Sequence, residues 1–442
     1  MMREIAVIMN SGSKPVHFTW TAKIHVNGKN YDALKVLSID NVQDYELEYS
    51  DVMMVKLAIS GGTYAKDIYP FKDKVDITVY KTPISEVSTG TDTAVAVQSE
   101  RYTATLVDTG NPIVEGNAGN TLSREALDLA NIFEVTFQLV NKALEQIRMI
   151  SVGGIYRNVK AIDVIKSVLT SEMQKIVVDG KRMPVGVDIV PGTNTAIRDH
   201  VVLPHGLRLV DLPEFIHKRC GGVYSTGFGY YLQGDHWYVY PCYDVNRFNT
   251  ASRTLTILNV PRNKFSGIER TYRKASNSVF ILATGEVKYR DDSEVQQLNY
   301  GNGVRFSDAN NYMNNFSTTA GNKTTVNRGS NNTEVISSPR ANGNNNIQMS
   351  SNSITANPFV EYSMLARRQG SFYTCVWENS DLTVITPGMP VKIMYMDDEI
   401  LREVKGVVLK VHNFTSLRGS GMTETRYTSQ TVISIFINQI KK

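Results

Sequence analysis

Short runs in which apolar and polar residues alternate, each followed by turn residues, restrict the fold of this chain more than any other feature. The first run ends at Asn27-Gly28, a pair that favours a two-residue type I′ hairpin turn because both positions take positive φ. Four early runs have an apolar residue at every second position: Trp20, Ala22, Ile24 and Val26; Val55, Leu57 and Ile59; Val75, Ile77 and Val79; Tyr102, Ala104 and Leu106. This pattern predicts a closed antiparallel β-barrel or sandwich over residues 1–108, with an exposed hairpin loop near 86–98.

The same period of two returns near the end of the chain. Two sets of apolar residues alternate with polar ones, and Gly419-Ser420-Gly421 supplies a turn between them: Val407, Leu409 and Val411; Ile433, Ile435 and Ile437. A similar alternation over Phe133, Val135, Phe137 and Leu139 follows a possible helical turn at 123–129. We therefore expect a second, discontinuous β-barrel formed by residues 109–151 and 359–442.

Helical patterns interrupt the β signal between residues 152 and 298. Ile162, Ile165, Val168, Leu169 and Met173 recur at helical spacing, which predicts an amphipathic helix over 159–175. A second helix is predicted to begin at Asp211, because Asp211 and Glu214 have capping-box spacing, and to end at Gly221-Gly222. An aromatic hairpin follows, with Tyr230-Tyr231 and Trp237–Tyr240 on either side of a turn at Gly234-Asp235. The fold class expected overall is mainly β with an α+β insertion over 152–298.

Residues 299–358 differ from the rest of the chain in composition. Asparagine pairs and triplets lie among Ser, Thr and Gly, and few apolar residues are present to anchor the segment. Such a composition cannot bury enough surface to offset the entropy of ordering, so we expect a long inserted loop. Either neighbours in a large assembly hold this loop in place, or it is compact by itself.

Composition and charge exclude several classes of protein. The chain has 442 residues, room for two to four domains, and its 47 basic and 43 acidic side chains are too evenly balanced for a dedicated nucleic-acid binder. It contains no apolar run of 18 residues, and residues 1–9 lack the features of a signal peptide. Three cysteines are too few for a disulfide framework, so we expect folding in a reducing cytoplasm.

Signals for catalysis and metal binding are weak. The phosphate-binding loop Gly-x-x-x-x-Gly-Lys-Ser/Thr and the His-Glu-x-x-His zinc motif are absent. The best set of possible zinc ligands lacks paired spacing: His200, His205, His217, Cys220, His236 and Cys242. A thiol hydrolase would need Cys220 or Cys375, but the first is placed at a helix C-terminus and the second in a strand, neither of which lowers a thiol pKa. We therefore assign no catalytic, cofactor-binding or metal-binding residue and expect no cofactor.

The aromatic segment 228–243 allows two interpretations. Flat aromatic rings stack on sugar faces, so the segment could be a carbohydrate-binding platform. The commoner role of such a hairpin is to place its rings in a core or a subunit interface.

The order of these patterns resembles that of the baseplate hub proteins of contractile-tailed bacteriophages, which are similar to the hub region of type VI secretion spikes. The resemblance rests on local segments in the family's order: the Asn27-Gly28 hairpin, Tyr69-Pro70-Phe71-Lys72-Asp73, 101–108, 163–169, 212–224, the aromatic hairpin to Tyr240-Pro241, 406–412 and Tyr427-Thr428-Ser429. The segment 299–357 departs from it as an insertion.

The resemblance implies a structural protein of the virion, assembled in the host cytoplasm, with two tail-tube-like antiparallel β-barrels in each chain. It implies a homotrimer whose pseudo-sixfold ring adapts the sixfold tail tube to the threefold central spike. The implied partners are the tail tube or tube-initiator proteins, the spike and neighbouring baseplate proteins. DNA would pass through the lumen without specific binding. The alternatives are a tail-associated cell-wall lysin or carbohydrate-binding protein using residues 200–243, and a single-barrel tube component.

Overall fold

The computed structural model describes residues 17–84, 97–108, 132–178, 180–182, 185–260, 271–283, 288–290, 304–308, 317–320, 323–327, 333–337, 359–360, 363, 366–367, 370–397, 400–419 and 425–438. This part of the chain is mainly β. Its largest sheet has 15 strands and contains both antiparallel and parallel neighbours. The main path of hydrogen-bonded strands does not close on itself in the described residues, so the two predicted barrels are not confirmed.

Seven strands form the first part of the large sheet. They are β1 (His17–Val26), β2 (Lys29–Asp32), β3 (Lys35–Asp44), β4 (Val52–Ser60), β5 (Val75–Ile84), β6 (Gln98–Asp108) and β7 (Ile132–Asn141). Three short helical segments connect β4 to β5: Gly61–Thr63, Tyr64–Ile68 and Tyr69–Lys74. The alternating apolar residues face inward as predicted, and Ile24, Val55 and Ile77 are fully buried. Asn27 and Gly28 have φ values of 47° and 74°, which confirms the predicted hairpin turn.

Helices are concentrated in an α+β unit that follows. Its elements are α1 (Lys142–Met149), β8 (Ser151–Lys160), α2 (Ala161–Met173), β9 (Val177–Val178), β10 (Lys181–Arg182), β11 (Gly186–Ile189), β12 (Ile197–Arg208), α3 (Leu212–Arg219), β13 (Gly229–Gln233) and β14 (His236–Tyr240). Helix α2 buries Ile165, Val168 and Leu169 on the predicted face. Asp211 does not cap α3 through its side chain. Its carboxylate instead pairs with Arg208 at 2.7 Å, which corrects the capping prediction.

The remaining strands complete the large sheet and form one small sheet. They are β15 (Thr254–Asn259), β16 (Tyr272–Lys274), β17 (Ser278–Ala283), β18 (Lys288–Arg290), β19 (Val304–Asp308), β20 (Ser317–Ala320), β21 (Lys323–Asn327), β22 (Thr333–Ser337), β23 (Gly370–Glu378), β24 (Pro390–Asp397), β25 (Ile400–Leu417) and β26 (Tyr427–Asn438). Strand β15 runs parallel to both β17 and β24. The core of this part surrounds Trp377, Ile393 and Ile435.

An internal repeat organises the large sheet. Strands β3, β4, β7, β6 and β5 lie side by side in that order, and β18, β23, β26, β25 and β24 repeat the order, with every pair antiparallel. Each set also follows the same order along the chain. The register of β6 against β7 shifts after Leu106, and that of β25 against β26 shifts after Val408. We call the two sets repeat 1 and repeat 2.

The two register shifts occupy corresponding places in β6 and β25, and we refer to them as the bulges. Taking them as a common reference point aligns the two repeats residue by residue. The row Leu106, Phe137, Val55, Ile39 in repeat 1 corresponds to Val408, Ile435, Tyr373, Tyr289 in repeat 2. Amino-acid identity is not kept along these rows, although both interior positions of each row are buried. The amino-acid sequence shows no repeat of fixed period, because the repeat exists in strand order and register.

The strand pairing differs from the grouping of segments predicted from the sequence at three places. The alternating run around Phe137 was grouped with the C-terminal barrel, but β7 pairs with β4 and β6 of repeat 1. The strands of 254–290 were grouped with the α+β insertion, but they extend the sheet that contains repeat 2. The segment expected as a loop contains β19–β22, which pair as a four-stranded sheet. Residues 85–96, 109–131 and 420–424, where a loop and two turns were predicted, lie outside the described residues.

Candidate functional site

The two repeats are joined edge to edge by pairing between β3 and β25. Strand β25 has 18 residues, and its first part pairs with β24 while Lys410–Ser416 pair with Asp44–Ser38 of β3. Seven residue pairs form this antiparallel ladder. Because strands from opposite ends of the chain form one continuous sheet here, we call this region the junction.

The outer face of the junction carries charged pairs beside exposed apolar side chains. His412 Nε2 lies 2.7 Å from Asp40 Oδ1, and Lys410 Nζ lies 3.3 Å from Asp44 Oδ2. Phe414 and Met54 flank Asp40 in the register and are 46% and 36% exposed. One Lys–Asp pair and one His–Asp hydrogen bond therefore lie on this face beside the exposed apolar groups.

The inner face of the junction is polar and hydrogen-bonded. The Asn413 Nδ2 group donates to Ser429 Oγ at 2.8 Å and to Thr431 Oγ1 at 2.9 Å. Thr415 Oγ1 donates to Asn413 Oδ1 at 3.0 Å. Asn413, Thr415 and Thr431 are all buried, so these bonds satisfy groups that would otherwise destabilise the core.

A buried ion pair also links the repeats. Lys81 Nζ lies 3.0 Å from Asp381 Oδ1, and the two side chains are 11% and 12% exposed. The Lys81 ammonium also lies 4.0 Å from the centroid of the Phe18 ring. Burial alone would raise the pKa of Asp381, but the Lys81 charge and the hydrogen bonds from Lys81 and Thr383 outweigh it and hold that pKa below its ordinary value.

Three tyrosine hydroxyls fasten other contacts around the junction. Tyr427 Oη donates to the carbonyl of Val36 at 2.7 Å, which ties the start of β26 to β3. Tyr240 Oη donates to the carbonyl of Tyr45 at 2.8 Å and ties the aromatic hairpin to the end of β3. Tyr243 Oη donates to Glu46 Oε1 at 2.6 Å. The junction is therefore held by backbone pairing, a buried charge pair and side-chain bonds from three directions.

A cavity of 630 Å³ lies beneath the junction, where repeat 1, repeat 2 and the α+β unit meet. Its wall includes the inner faces of β3 and β25, the aromatic rings of Trp20 and Tyr102, and five carboxylates: Asp51, Glu100, Asp188, Asp235 and Asp381. Burial, and secondarily the charge of Glu100, raise the pKa of Asp51 to about 6.

The residues considered for zinc do not converge. His217 is buried, its Nδ1 accepts a hydrogen bond from the Val223 N–H at 3.1 Å, and its ring stacks on Phe228 at 4.5 Å. Burial, with a smaller effect of Lys218, lowers the pKa of His217 to about 4. His200 and His205 lie exposed on β12. Within the described ranges no three His, Cys, Asp or Glu side chains are grouped so as to hold a metal ion.

The three thiols lack the environment that activates a catalytic cysteine. Burial raises the pKa of Cys375 to about 12 and also raises that of Cys242. Cys220 is the C-cap residue of α3, and burial raises its pKa despite the nearby charge of Arg198. Thiolate chemistry requires a lowered pKa, so each shift is in the opposite direction.

Most of the aromatic hairpin faces the interior. Trp237, Tyr231 and Tyr240 are 0%, 0% and 1% exposed, so their ring faces cannot stack on a sugar from solvent. Tyr231 instead packs edge-on against Tyr45 with ring centroids 4.8 Å apart. The hairpin therefore serves the core and fastens the α+β unit to the junction.

Sequence reasoning did not find the junction or the cavity. The sequence feature that marks this region is a set of polar residues on the inward side of two strands: Asn41, Gln43, Asn413 and Thr415. Their importance follows only from the pairing of β3 with β25, whose paired residues lie more than 360 positions apart in the chain. Among the described residues, no helix has both the length and the apolar character needed to cross a membrane.

Comparison with known proteins gives structural likenesses only. The chain matches no protein-family profile and no curated protein sequence. A tail protein from Neisseria meningitidis has 10% identity and a TM-score of 0.45, with 95% of this chain and 96% of that chain covered. A tail protein of prophage MuSo2 from Shewanella oneidensis has 9% identity and a TM-score of 0.45, with coverages of 94% and 98%.

A third similar structure is an E. coli component of the type VI secretion system, described as structurally similar to T4 bacteriophage tail proteins. It has 8% identity and a TM-score of 0.41, with 94% of this chain and 77% of that chain covered. These three similar structures are thus two phage or prophage-type tail proteins and one type VI secretion component. At these identities and TM-scores the likeness fixes neither the family nor the activity of this chain.

Proposed function

We propose that this protein is a structural, non-enzymatic hub at the base of a contractile phage tail, and that three copies form a ring. The observation that carries the proposal is the internal repeat joined through β3 and β25. A chain that places two copies of one strand arrangement side by side contributes two of six similar units when three chains associate. Such a ring matches a sixfold tube on one side and a threefold spike on the other.

The free strand edge of repeat 2 supports a ring rather than a closed monomer. In repeat 1, β3 is covered by β25. The corresponding strand of repeat 2 is β18, and within the described residues it pairs with β23 alone. Another copy that covered β18 as β25 covers β3 would form a head-to-tail contact, which closes into a ring when its rotation permits.

In this proposal each repeat is the basis of one tube-like barrel. Repeat 1 with β1 and β2 forms the first, and repeat 2 with β15–β17 forms the second. The α+β unit between them, and the segment with β19–β22, are insertions available to the spike and neighbouring baseplate proteins. On the outer face of the junction the basic side chains Lys410 and His412 do not outnumber Asp40 and Asp44, so this face is suited to a lumen through which DNA passes without being retained.

The decisive measurement is the mass and symmetry of the purified protein. Light scattering after size-exclusion chromatography should give about three times 49.4 kDa, and negative-stain class averages should show a ring with six lobes. A chain that stays monomeric on concentration, or rings with another number of lobes, would contradict the proposal. Incubation with purified peptidoglycan is the matched assay for the lysin alternative, and cleavage would contradict a purely structural role.

A further inference from the structure

Within the described part of the chain, the cavity beneath the junction has one carboxylate that pairs with a cation, Asp381, and one that does not, Asp51. Asp381 pairs with Lys81 at 3.0 Å, and the Lys81 ammonium also lies over the Phe18 ring. Asp51 lines the same cavity, and its side-chain partner among the described residues is the amide of Asn41, with Nδ2 3.5 Å from Asp51 Oδ2. Within the described chain, no cation pairs with Asp51.

A second carboxylate lies close enough to Asp51 for its charge to act on it. Glu100 also lines the cavity, and its oxygens accept hydrogen bonds from Tyr102 Oη at 2.8 Å and Asn141 Nδ2 at 2.7 Å. Both of these donors are neutral, and Glu100 is exposed, so its charge is open to solvent and to a cation in the cavity.

Polar residues on the inner face of two adjacent strands conflict with ordinary core packing. The inward residues Asn41 and Gln43 of β3 and Asn413 and Thr415 of β25 line the cavity where apolar side chains would otherwise fill it. Departures of this kind are expected at functional sites. A cavity of 630 Å³ is within the size range of small-molecule sites, and converging polar groups with apolar walls are typical of them.

We propose that this cavity binds a small organic cation, an alkylammonium or guanidinium group, at Asp51 and Glu100. The bound group would donate hydrogen bonds to both carboxylates, and its charge would supply the cation that Asp51 lacks within the described chain. The ring faces of Trp20 and Tyr102 would cover its carbon skeleton and favour its charge. The same cavity already binds one ammonium group through a carboxylate and an aromatic ring, because Lys81 Nζ contacts both Asp381 and Phe18.

The chemistry admits two sources of the cation, a free diamine or a lysine side chain of a partner protein. Isothermal titration calorimetry at constant ionic strength would therefore use putrescine in one arm and Nα-acetyl-lysine N-methylamide in the other. Neutral 1,4-butanediol controls for binding without charge. We expect saturable one-site binding in at least one charged arm and none with the diol, and the tighter arm identifies the source.

The variants assign binding to these carboxylates. Asp51→Asn keeps the shape of the side chain and removes its charge, and it should weaken binding by at least about tenfold, as loss of a charge-assisted hydrogen bond does. Glu100→Gln provides a second test if Asp51→Asn fails to fold. Asp199→Asn, an equal change on exposed β12, should leave affinity unchanged.

Absence of saturable binding in both charged arms would overturn the proposal, and so would equal affinity in wild type and the cavity variants. These outcomes are independent of the ring, because the mass and symmetry of the wild-type protein are measured separately. The cation site can therefore fail while the proposed hub function stands.

Discussion

The ammonium of Lys81 lies 3.0 Å from the carboxylate of Asp381, although 300 residues separate them in the chain. Lys81 belongs to β5 of repeat 1, and Asp381 follows β23 of repeat 2. Asp381 also accepts hydrogen bonds from the Thr383 N–H at 3.2 Å and Oγ1 at 2.9 Å, so its own turn orients the carboxylate toward Lys81. The pair is thus an anchor between the two repeats.

Removing one partner of this pair should be costly. Lys81→Met leaves a buried carboxylate without its cation, and we expect the free energy of unfolding to fall by about 3–5 kcal/mol. The double variant Lys81→Met, Asp381→Leu should recover much of that loss, because it leaves no buried charge. Urea denaturation measures both changes.

The surface pair Lys56–Glu134 provides the control for this experiment. Its side chains are 41% and 54% exposed, so Lys56→Met should change the free energy of unfolding by less than about 1 kcal/mol. If Lys81→Met costs no more than Lys56→Met, the anchor does not contribute to joining the repeats.

The sequence predicted a strand well where one face of the strand is buried and the other is exposed. The runs around Ile24, Val55 and Ile433 have the expected buried faces, because a strand with one buried face encodes its own period. The helix over 161–173 was predicted for the same reason, at a period of 3.6. Local periodicity therefore identified elements reliably.

The sequence could not assign those strands to partners. The alternation around Phe137 is the same whether its strand pairs with β4 or with β26. Periodicity therefore identified this strand but could not show which strands lie beside it in the sheet. The parallel pairing of β15 with β24 depends on a connection of 130 residues, 260–389. The candidate site depends on such pairings, which explains why the junction and the cavity were both missed.

Asp51 should make stability depend on pH in an unusual direction. Its pKa is raised from 3.8 to about 6 in the folded state, so the folded protein binds more protons than the unfolded chain between these values. Stability from this group is present below about pH 4 and is lost as pH rises through about 6. Asp51→Asn should therefore be more stable than wild type at pH 7, by about 2–3 kcal/mol.

The difference between the two proteins isolates this effect from other titrations. Urea denaturation of wild type and Asp51→Asn at several pH values should show a gap that widens from pH 4 to pH 7. A constant gap over this range would show that Asp51 titrates near its ordinary value when folded.

The aligned repeats have alanine and glycine at one pair of corresponding positions, and exchanging these residue types should reduce stability by different amounts. Ala104 and Gly406 occupy the same place, two residues before the bulge in β6 and in β25. A Cβ on Gly406 would lie 2.3 Å from the carbonyl oxygen of Phe436, a backbone atom that cannot move freely. Gly406→Ala should destabilise the protein by about 1–3 kcal/mol through overpacking.

The reverse change at the corresponding site tests whether the two bulges differ. Ala104→Gly removes one buried methyl group and adds backbone freedom, so we expect a loss of about 1 kcal/mol. Thermal unfolding should thus rank wild type, Ala104→Gly and Gly406→Ala in order of decreasing stability. No change in stability for Gly406→Ala would mean that the backbone at the bulge in β25 shifts far enough to make room for a methyl group.

His217 should titrate far below the usual range for histidine. Burial lowers its pKa to about 4, and its neutral ring accepts the Val223 N–H. The unfolded chain then binds more protons than the folded one between about pH 4 and 6.5, so this group makes stability rise with pH over the window in which Asp51 makes it fall. Two-dimensional NMR of the imidazole groups, with His217→Gln to assign the resonance, should show no shift of His217 between pH 5 and 8. A midpoint near 6.5 would mean that the α3–Val223 contact opens in solution and that the ring is not held neutral by the core.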